Sequence, residues 1–266
     1  MKRSNKFWMR GSAAASQLYQ MALELTLGNF NVMPAQAGIH DFSSANCRWI
    51  VKVVDSGLRR NDGFAIVPMT WPAPIELTGG LARLELLSHN HAPGLIEAVE
   101  DGKLWQLWYT SIPAPDKMES EITRRLKLHS EGKMLPFTIF NQKTGQTVGM
   151  TTYMNVDPMH RRVEIGATWY RQSAQRSGIN TECKLLLLTH AFETLNCIAV
   201  EFRTHFFNHQ SRRAIERLGA KQDGILRSHM VTASGMLRDT VVYSIIAAEW
   251  PTVRQHLQFL TKIPSP

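Results

Sequence analysis

The chain has 266 residues, of which 44% are hydrophobic and 20% charged, with a formal net charge of +8. That composition fits a soluble globular protein of one domain, or one domain plus an appendage, and no apolar run approaches the ~18 to 20 residues of a membrane-spanning helix. Nor does the charge point to nucleic acid: residues 1–70 hold 8 basic and 4 acidic residues and residues 71–266 hold 22 and 18, so each part carries +4, with only short basic pairs such as Arg124-Arg125 and Arg161-Arg162.

Residues 1–70 read differently from the rest. Gly, Asn, Ser and Asp punctuate them without defined elements between, and Glu24 interrupts the apolar run that a secretory signal would need. The phrases M-P-A-Q-A-G-I-H-D-F at 33–42 and D-S-G-L-R-R-N-D-G at 55–63 resemble peptides produced when a bacterial intergenic repeat is translated. The expectation is a poorly ordered N-terminal extension that carries no chemistry, with a native start near Met69. Cys47, Cys183 and Cys197 lack paired, zinc-like spacing and read as reduced thiols of a cytoplasmic protein.

From Trp71 the texture changes, and residues 71–266 read as the functional domain. Ile75 and Leu77, then Leu81, Leu84 and Leu86 beyond Gly79-Gly80, read as a hairpin-like strand pair. A first helix is expected over 89–101, an aromatic patch at Trp105, Trp108 and Tyr109, and a second helix over 117–131 with Asp116 as its N-cap and Gly132 as its stop. Strands are expected at 136–140, 147–154 and 162–170, the last running V-E-I-G-A-T-W-Y into the polar turn R-Q-S-A-Q-R-S-G-I-N. The segment T-E-C-K-L-L-L-L-T-H-A-F-E-T-L, with Cys183, Leu187, Ala191 and Leu195 at helical spacing, reads as a largely buried helix. After it come a strand at 197–205, a short helix at 208–218, strands at 224–231 and 240–246 joined by a turn at Ala233–Gly235, and a helix at 249–261.

A strand, a small polar turn and a helix present unpaired backbone N–H groups and a helix-dipole positive end to a phosphate. The turn Gln175-Arg176-Ser177-Gly178-Ile179-Asn180 resembles the acetyl-CoA signature of the GNAT N-acetyltransferase superfamily, in which Gln175 and Gly178 match and Asn180 departs from the usual final Gly or Ala. The element order from residue 73, β-αα-βββ-α-β-α-ββ, is similar to the GNAT order. The phrases V-G-M-T, Glu164-Ile165-Gly166, N-H-Q-S-R-R-A-I-E-R-L-G-A and R-D-T-V-V-Y-S-I resemble the RimJ/RimL-type branch that includes ribosomal-protein N-terminal acetyltransferases. The resemblance implies an α+β fold with a mixed, mostly antiparallel sheet, splayed at the CoA site, and helices on both faces.

The resemblance further implies acetyl-CoA as co-substrate, no metal, and direct acetyl transfer in a ternary complex to a primary amine, either a protein N-terminus or a small molecule. Gln175, Arg176, Ser177, Gly178, Ile179 and Asn180 would meet the pyrophosphate. The strand end at Thr168 and Tyr170 would meet the pantetheine and thioester, with a backbone N–H stabilising the developing oxyanion. Asn208 and Ser211 match family positions that contact pantetheine and the departing sulfur, while Asn208 as a helix cap is compatible with that role. Seven residues after Asn208, where relatives often carry a proton-donating Tyr, stands Ile215, which leaves Ser211, Tyr243 or solvent to protonate the thiolate.

Glu164 faces opposite to Val163 and Ile165 and is the candidate acceptor of the amine's proton; its alternative is a surface or salt-bridged glutamate paired with Arg161 or Arg203. His205 and His209 flank the region and read first as structural. The acceptor groove is expected around Leu104–Pro115, 152–160 and the final strands, with at least one of the aromatic residues serving the core instead. The second reading is a CoA-binding protein without catalysis, motivated by Ile215 and Asn180. A homodimer is left open because dimers occur among the relatives.

Overall fold

A computed structural model describes residues 71–232 and 234–262, together with the backbone of two short strands at 48–51 and 65–68. Those two, β1 (Arg48–Val51) and β2 (Ala65–Pro68), pair antiparallel with Arg48 opposite Pro68. The rest of the expected N-terminal extension, the start near Met69 and Ala233 of the final turn lie outside the described residues.

The second unit begins with β3 (Leu77–Thr78) and β4 (Ala82–Leu86), followed by α1 (Ala92–Glu100) and α2 (Met118–Ser130). Next come β5 (Met134–Asn141), β6 (Thr147–Asp157) and β7 (Arg162–Tyr170), then α3 (Ile179–Thr189), which ends in a π-helical turn at His190–Thr194. β8 (Ala199–His205), α4 (His209–Arg217), β9 (Lys221–Val231), β10 (Leu237–Ile246) and α5 (Trp250–Lys262) complete it. The eight strands of this unit form one sheet in the order β3-β4-β5-β6-β7-β8-β10-β9. Every neighbouring pair is antiparallel except β7 and β8.

Helices cover both faces of this mixed sheet, as the sequence implied. On one face, Val163, Ile165, Tyr170, Val200, Phe202, Val241 and Tyr243 pack against Cys183 and Leu187 of α3 and Val253 and Leu257 of α5. On the other, Met150 and Trp169 pack against Leu95 and Val99 of α1 and Met118 and Ile122 of α2. At roughly 1.5–3 kcal/mol per large apolar side chain removed from water, these two layers supply the main driving force for closing the sheet between its helices.

One capping expectation fails. Asp116 lies inside a 3-10 turn at Pro115–Lys117 rather than at the N-cap of α2, because Pro115 starts the turn one step earlier; its carboxylate meets Lys117 Nζ at 3.4 Å instead. The tip of α3 is held by a contact that crosses the chain. Glu182, in its first turn, accepts the backbone N–H groups of Gly80 at 3.0 Å, Leu81 at 2.6 Å and Ala82 at 2.7 Å. A carboxylate answering three amides at once is a strong, charge-assisted tie, and it fixes the β3–β4 turn beside the helix start.

Candidate functional site

The parallel seam between β7 and β8 is short. It pairs Arg162 with Ala199, Val163 with Val200 and Glu164 with Glu201, and there it stops. β7 nevertheless continues to Tyr170 and β8 to His205. Beyond the seam the two strands have no ladder bonds to each other, so the sheet opens at its middle and presents backbone donors and acceptors to whatever enters.

A β-bulge shapes the open edge. Met150 pairs with Trp169 and Thr152 with Gly166, so Thr151 alone on β6 opposes both Ala167 and Thr168 on β7. Ala167 takes a left-handed φ of 48° to make the extra residue fit. A second irregularity on β6 places Asn155, at φ 47°, opposite the start of β7.

The chain leaves β7 through a 3-10 turn at Gln172–Ala174 and reaches α3 through Arg176 at φ 62° and Gly178 at φ 85°. Gly178 is the N-cap, and a side chain there would be strained in the left-handed region. Among the described residues, the amides of 176 to 181 take no backbone or side-chain acceptor. Ile179 is buried beneath them at 3% exposure. Successive N–H groups across left-handed turns at a helix start form a concave anion site. Ser177 Oγ donates to the Ala174 carbonyl at 2.6 Å and so stiffens the loop. Gln175 Nε2 donates to the Tyr170 carbonyl and its Oε1 accepts from Gln210 Nε2, both at 3.3 Å, which ties the end of β7 to α4.

Glu164 sits where the seam ends, on the sheet face opposite Val163 and Ile165. It is 5% exposed. Asn155 Nδ2 donates to its Oε2 at 2.7 Å and Arg203 Nε lies at 3.4 Å. Burial raises its pKa above the ordinary carboxylate range, while Arg203 and Asn155 pull the other way. Gly166 leaves the carboxylate its room: a Cβ there would stand 2.8 Å from Glu164 Oε1. The ion pair expected as the alternative reading of Glu164 is present, with Arg203, not Arg161, as the partner. Glu164, Asn155, Arg203 and Glu201 line a cavity of about 200 Å³.

The other expected residues separate. Asn208 caps α4, its Oδ1 accepting the Ser211 N–H at 3.0 Å, so Ser211 stands at the helix start near the open edge. Tyr243 is fully buried, and its hydroxyl donates to Glu216 Oε1 at 2.8 Å and accepts from Arg212 Nε at 3.1 Å. Burial raises its pKa. That hydroxyl is committed to α4 rather than offered to the cleft. Tyr170 also points into the core, so its part in the open edge falls to its backbone. Ile215 packs partly buried against the core. His205 accepts the Phe207 N–H at Nδ1, 3.1 Å away, which leaves the imidazole neutral; burial and the charge of Arg238 lower its pKa.

Trp105 packs on the core beneath α1, while Trp108 is 64% exposed and meets the His205 ring edge-on at 5.1 Å. Tyr109, His205 and Phe207 continue this aromatic wall. It borders a groove of about 510 Å³ lined by His205, Phe206, Phe207, Ile225, Arg227, Leu237 and Asp239. Sequence reading missed Arg238. Its Nε is buried without a partner among the described residues, and its charge acts on both Glu164 and His205.

A sheet that opens beyond a three-pair parallel seam, ahead of a helix start with unanswered amides, is the architecture of the acyltransferase class the sequence resembles. A family model described as an acetyltransferase (GNAT) domain matches residues 82–221. The chain is 34% identical over 106 residues to a Bacillus subtilis (strain 168) protein provisionally named ribosomal N-acetyltransferase YdaF, a match covering 40% of this chain and 57% of that one. The matched segment thus spans little more than half of that relative. A solved structure of a provisionally assigned acetyltransferase from T. thermophilus is 32% identical with a TM-score of 0.61, covering 70% of this chain and 96% of that one. A GCN5-related N-acetyltransferase from Brucella melitensis gives 29% and 0.62, covering 71% and 86%. RimL, a ribosomal L7/L12 alpha-N-protein acetyltransferase, shares the fold at 20% identity and a TM-score of 0.58, covering 68% and 99%.

The chain belongs to the GNAT acetyltransferase family.

Proposed function

We propose that this acetyltransferase moves an acetyl group from acetyl-CoA to the N-terminal amine of a protein, by direct attack within a ternary complex. The observation that carries the reading is the run of six amides, 176 to 181, left without acceptors at the start of α3, next to the strand edge that parts from β8. The amides and the helix dipole would hold the pyrophosphate of CoA, with Arg176 adding charge. The pantetheine would lie along β7 at Thr168–Tyr170 and reach Asn208 and Ser211. A backbone N–H near the bulge would answer the negative charge that develops on the thioester oxygen.

Glu164 would take the amine's proton, its raised pKa suiting a base better than an ordinary carboxylate. Ser211 stands better placed than Tyr243 to return a proton to the thiolate. The protein acceptor is favoured over a small amine by the open aromatic groove, by the names of YdaF and RimL, and by Arg238, whose guanidinium could meet the carbonyl that follows an N-terminal amine.

Calorimetry with acetyl-CoA, followed by thiol release with a panel of peptides and small amines, tests this reading. Tight binding with turnover on peptides supports it, and turnover on small amines alone would move the acceptor. Tight binding without turnover would favour the non-catalytic alternative motivated by Ile215. No binding by the folded chain would overturn the placement of the co-substrate.

A further inference from the structure

Lys184 stands in the second turn of α3, facing the sheet, and is 6% exposed. Among the described residues no carboxylate pairs with it. Its Nζ donates instead to two hydroxyls, Thr168 Oγ1 at 3.0 Å and Thr151 Oγ1 at 3.3 Å. Those hydroxyls lie 2.8 Å from each other, and Thr168 Oγ1 also donates to the Gly166 carbonyl at 3.3 Å. A charged lysine has protons to give and no lone pair to offer. The chain of donation therefore runs one way, from Lys184 through the threonines to Gly166.

It ends on the bulge. Ala167 and Thr168 both oppose Thr151, next to the registered Thr152–Gly166 pair, and Ala167 holds the left-handed φ. From the opposite face, buried Arg125 of α2 donates to Thr152 Oγ1 at 2.8 Å and reaches the Ala167 carbonyl at 3.5 Å, with Glu121 holding its Nε at 2.7 Å. A left-handed alanine persists only where its surroundings over-determine it. Here a buried cation on one face reaches the Ala167 carbonyl, and one on the other face holds Thr168 and, through it, the Gly166 carbonyl.

A purely structural lysine fits this site poorly. Burial without a counter-charge pushes the Lys184 ammonium down to about 8, so at neutral pH its charge works against the folded state, whereas an apolar side chain of similar length would fill the same space without that cost.

We infer that Lys184 is a positioning residue for acetyl transfer: through Thr151 and Thr168 it fixes the bulged Gly166–Thr168 backbone where that backbone meets the reacting thioester. The inference rests on the placement of acetyl-CoA proposed above.

The test uses the full chain with Lys184→Met, Thr168→Val, the double variant and Thr168→Ser. Lys184→Met is expected to fold with an unchanged or higher Tm and to bind CoA within about threefold of the parent. Its kcat should fall about 10- to 100-fold, at or below the roughly 10²-fold cost of a 1 Å misplacement and short of the roughly 10²- to 10³-fold cost of removing an oxyanion donor outright. Thr168→Val should lose as much, the double variant no more than either single change, and Thr168→Ser should keep most of the rate. In the free protein, amide exchange at Ala167–Trp169 should speed up in Lys184→Met. If the parent protein turns over no amine, the proposed function fails and the exchange arm alone decides the role of Lys184. Unchanged exchange would overturn the inference, as would a kcat within twofold of the parent or an equal loss of CoA affinity and rate.

Discussion

Glu164→Gln separates the charge of this side chain from its shape. The Gln carbonyl oxygen can still accept from Asn155 Nδ2, which now donates to Glu164 at 2.7 Å, so the local geometry should survive. What disappears is the proposed proton acceptor and the ion pair with Arg203 at 3.4 Å. Loss of a positioned general base typically costs 10²- to 10⁴-fold, or about 2.7 to 5.5 kcal/mol of barrier. Stability should move the other way. Burial raises the folded-state pKa of Glu164, so its contribution to stability is fully present below the unfolded pKa and is lost as pH rises through the folded one. Above that folded-state pKa the buried, ionised carboxylate is a liability, and Glu164→Gln should there unfold at the same or a higher Tm. The advantage should shrink as pH falls through that folded-state pKa. The assay is thiol release across pH with an accepted peptide, alongside thermal unfolding. The acid limb of kcat/KM should vanish in the variant. A variant within about threefold of the parent, with its acid limb intact, would refute the assignment of Glu164 as base.

Three further outcomes follow from other parts of the site. Gly166→Ala places a Cβ 2.8 Å from Glu164 Oε1; the carboxylate must swing aside, and kcat should fall by about tenfold with little change in Tm, as steady-state kinetics beside thermal unfolding would show. Glu182→Ala strands the amides of Gly80, Leu81 and Ala82 and should cost about 2 to 3 kcal/mol in urea unfolding. Gly178→Trp forces a side chain into a φ of 85° at roughly 1 to 2 kcal/mol and covers the amides after it. Calorimetry should then read no acetyl-CoA binding from a domain whose circular dichroism is unchanged.

The order of elements was legible because the strands carry β-branched and aromatic runs and the helices carry apolar residues at three- and four-residue spacing. Alternation along β7 also put Glu164 on the face away from Val163 and Ile165, where it stands. Other features left no local signal. β9 begins at Lys221 through polar residues and is exposed along its length, so neither face shows an apolar rhythm from which to read its start. Lys184 and Glu182 sit in a helix recognised by its leucines, and their partners lie far along the chain. Sequence spacing records which side chains share a helix face, but the hydroxyls that Lys184 meets come from two other strands. Asp116 misled because Pro115 can open a 3-10 turn, and a cap residue looks the same before either kind of helix. Tyr243 looked available because a strand tyrosine shows no sign of the Glu216 that would occupy its hydroxyl.

The three-pair seam between β7 and β8 has a mechanical consequence. Strands β3 to β7 form one stiff plate and β8 to β10 another; the seam joins them directly and α3 packs across both. A joint so narrow makes cooperativity conditional. The expectation is that the bare protein parts along the seam before either plate melts, read as a broadened or two-step denaturant transition. A molecule lodged in the open edge acts as a strut between the plates. At a hundred times its Kd it would add about 2.7 kcal/mol, delivered to the weakest line of the sheet, and should fuse the two steps into one.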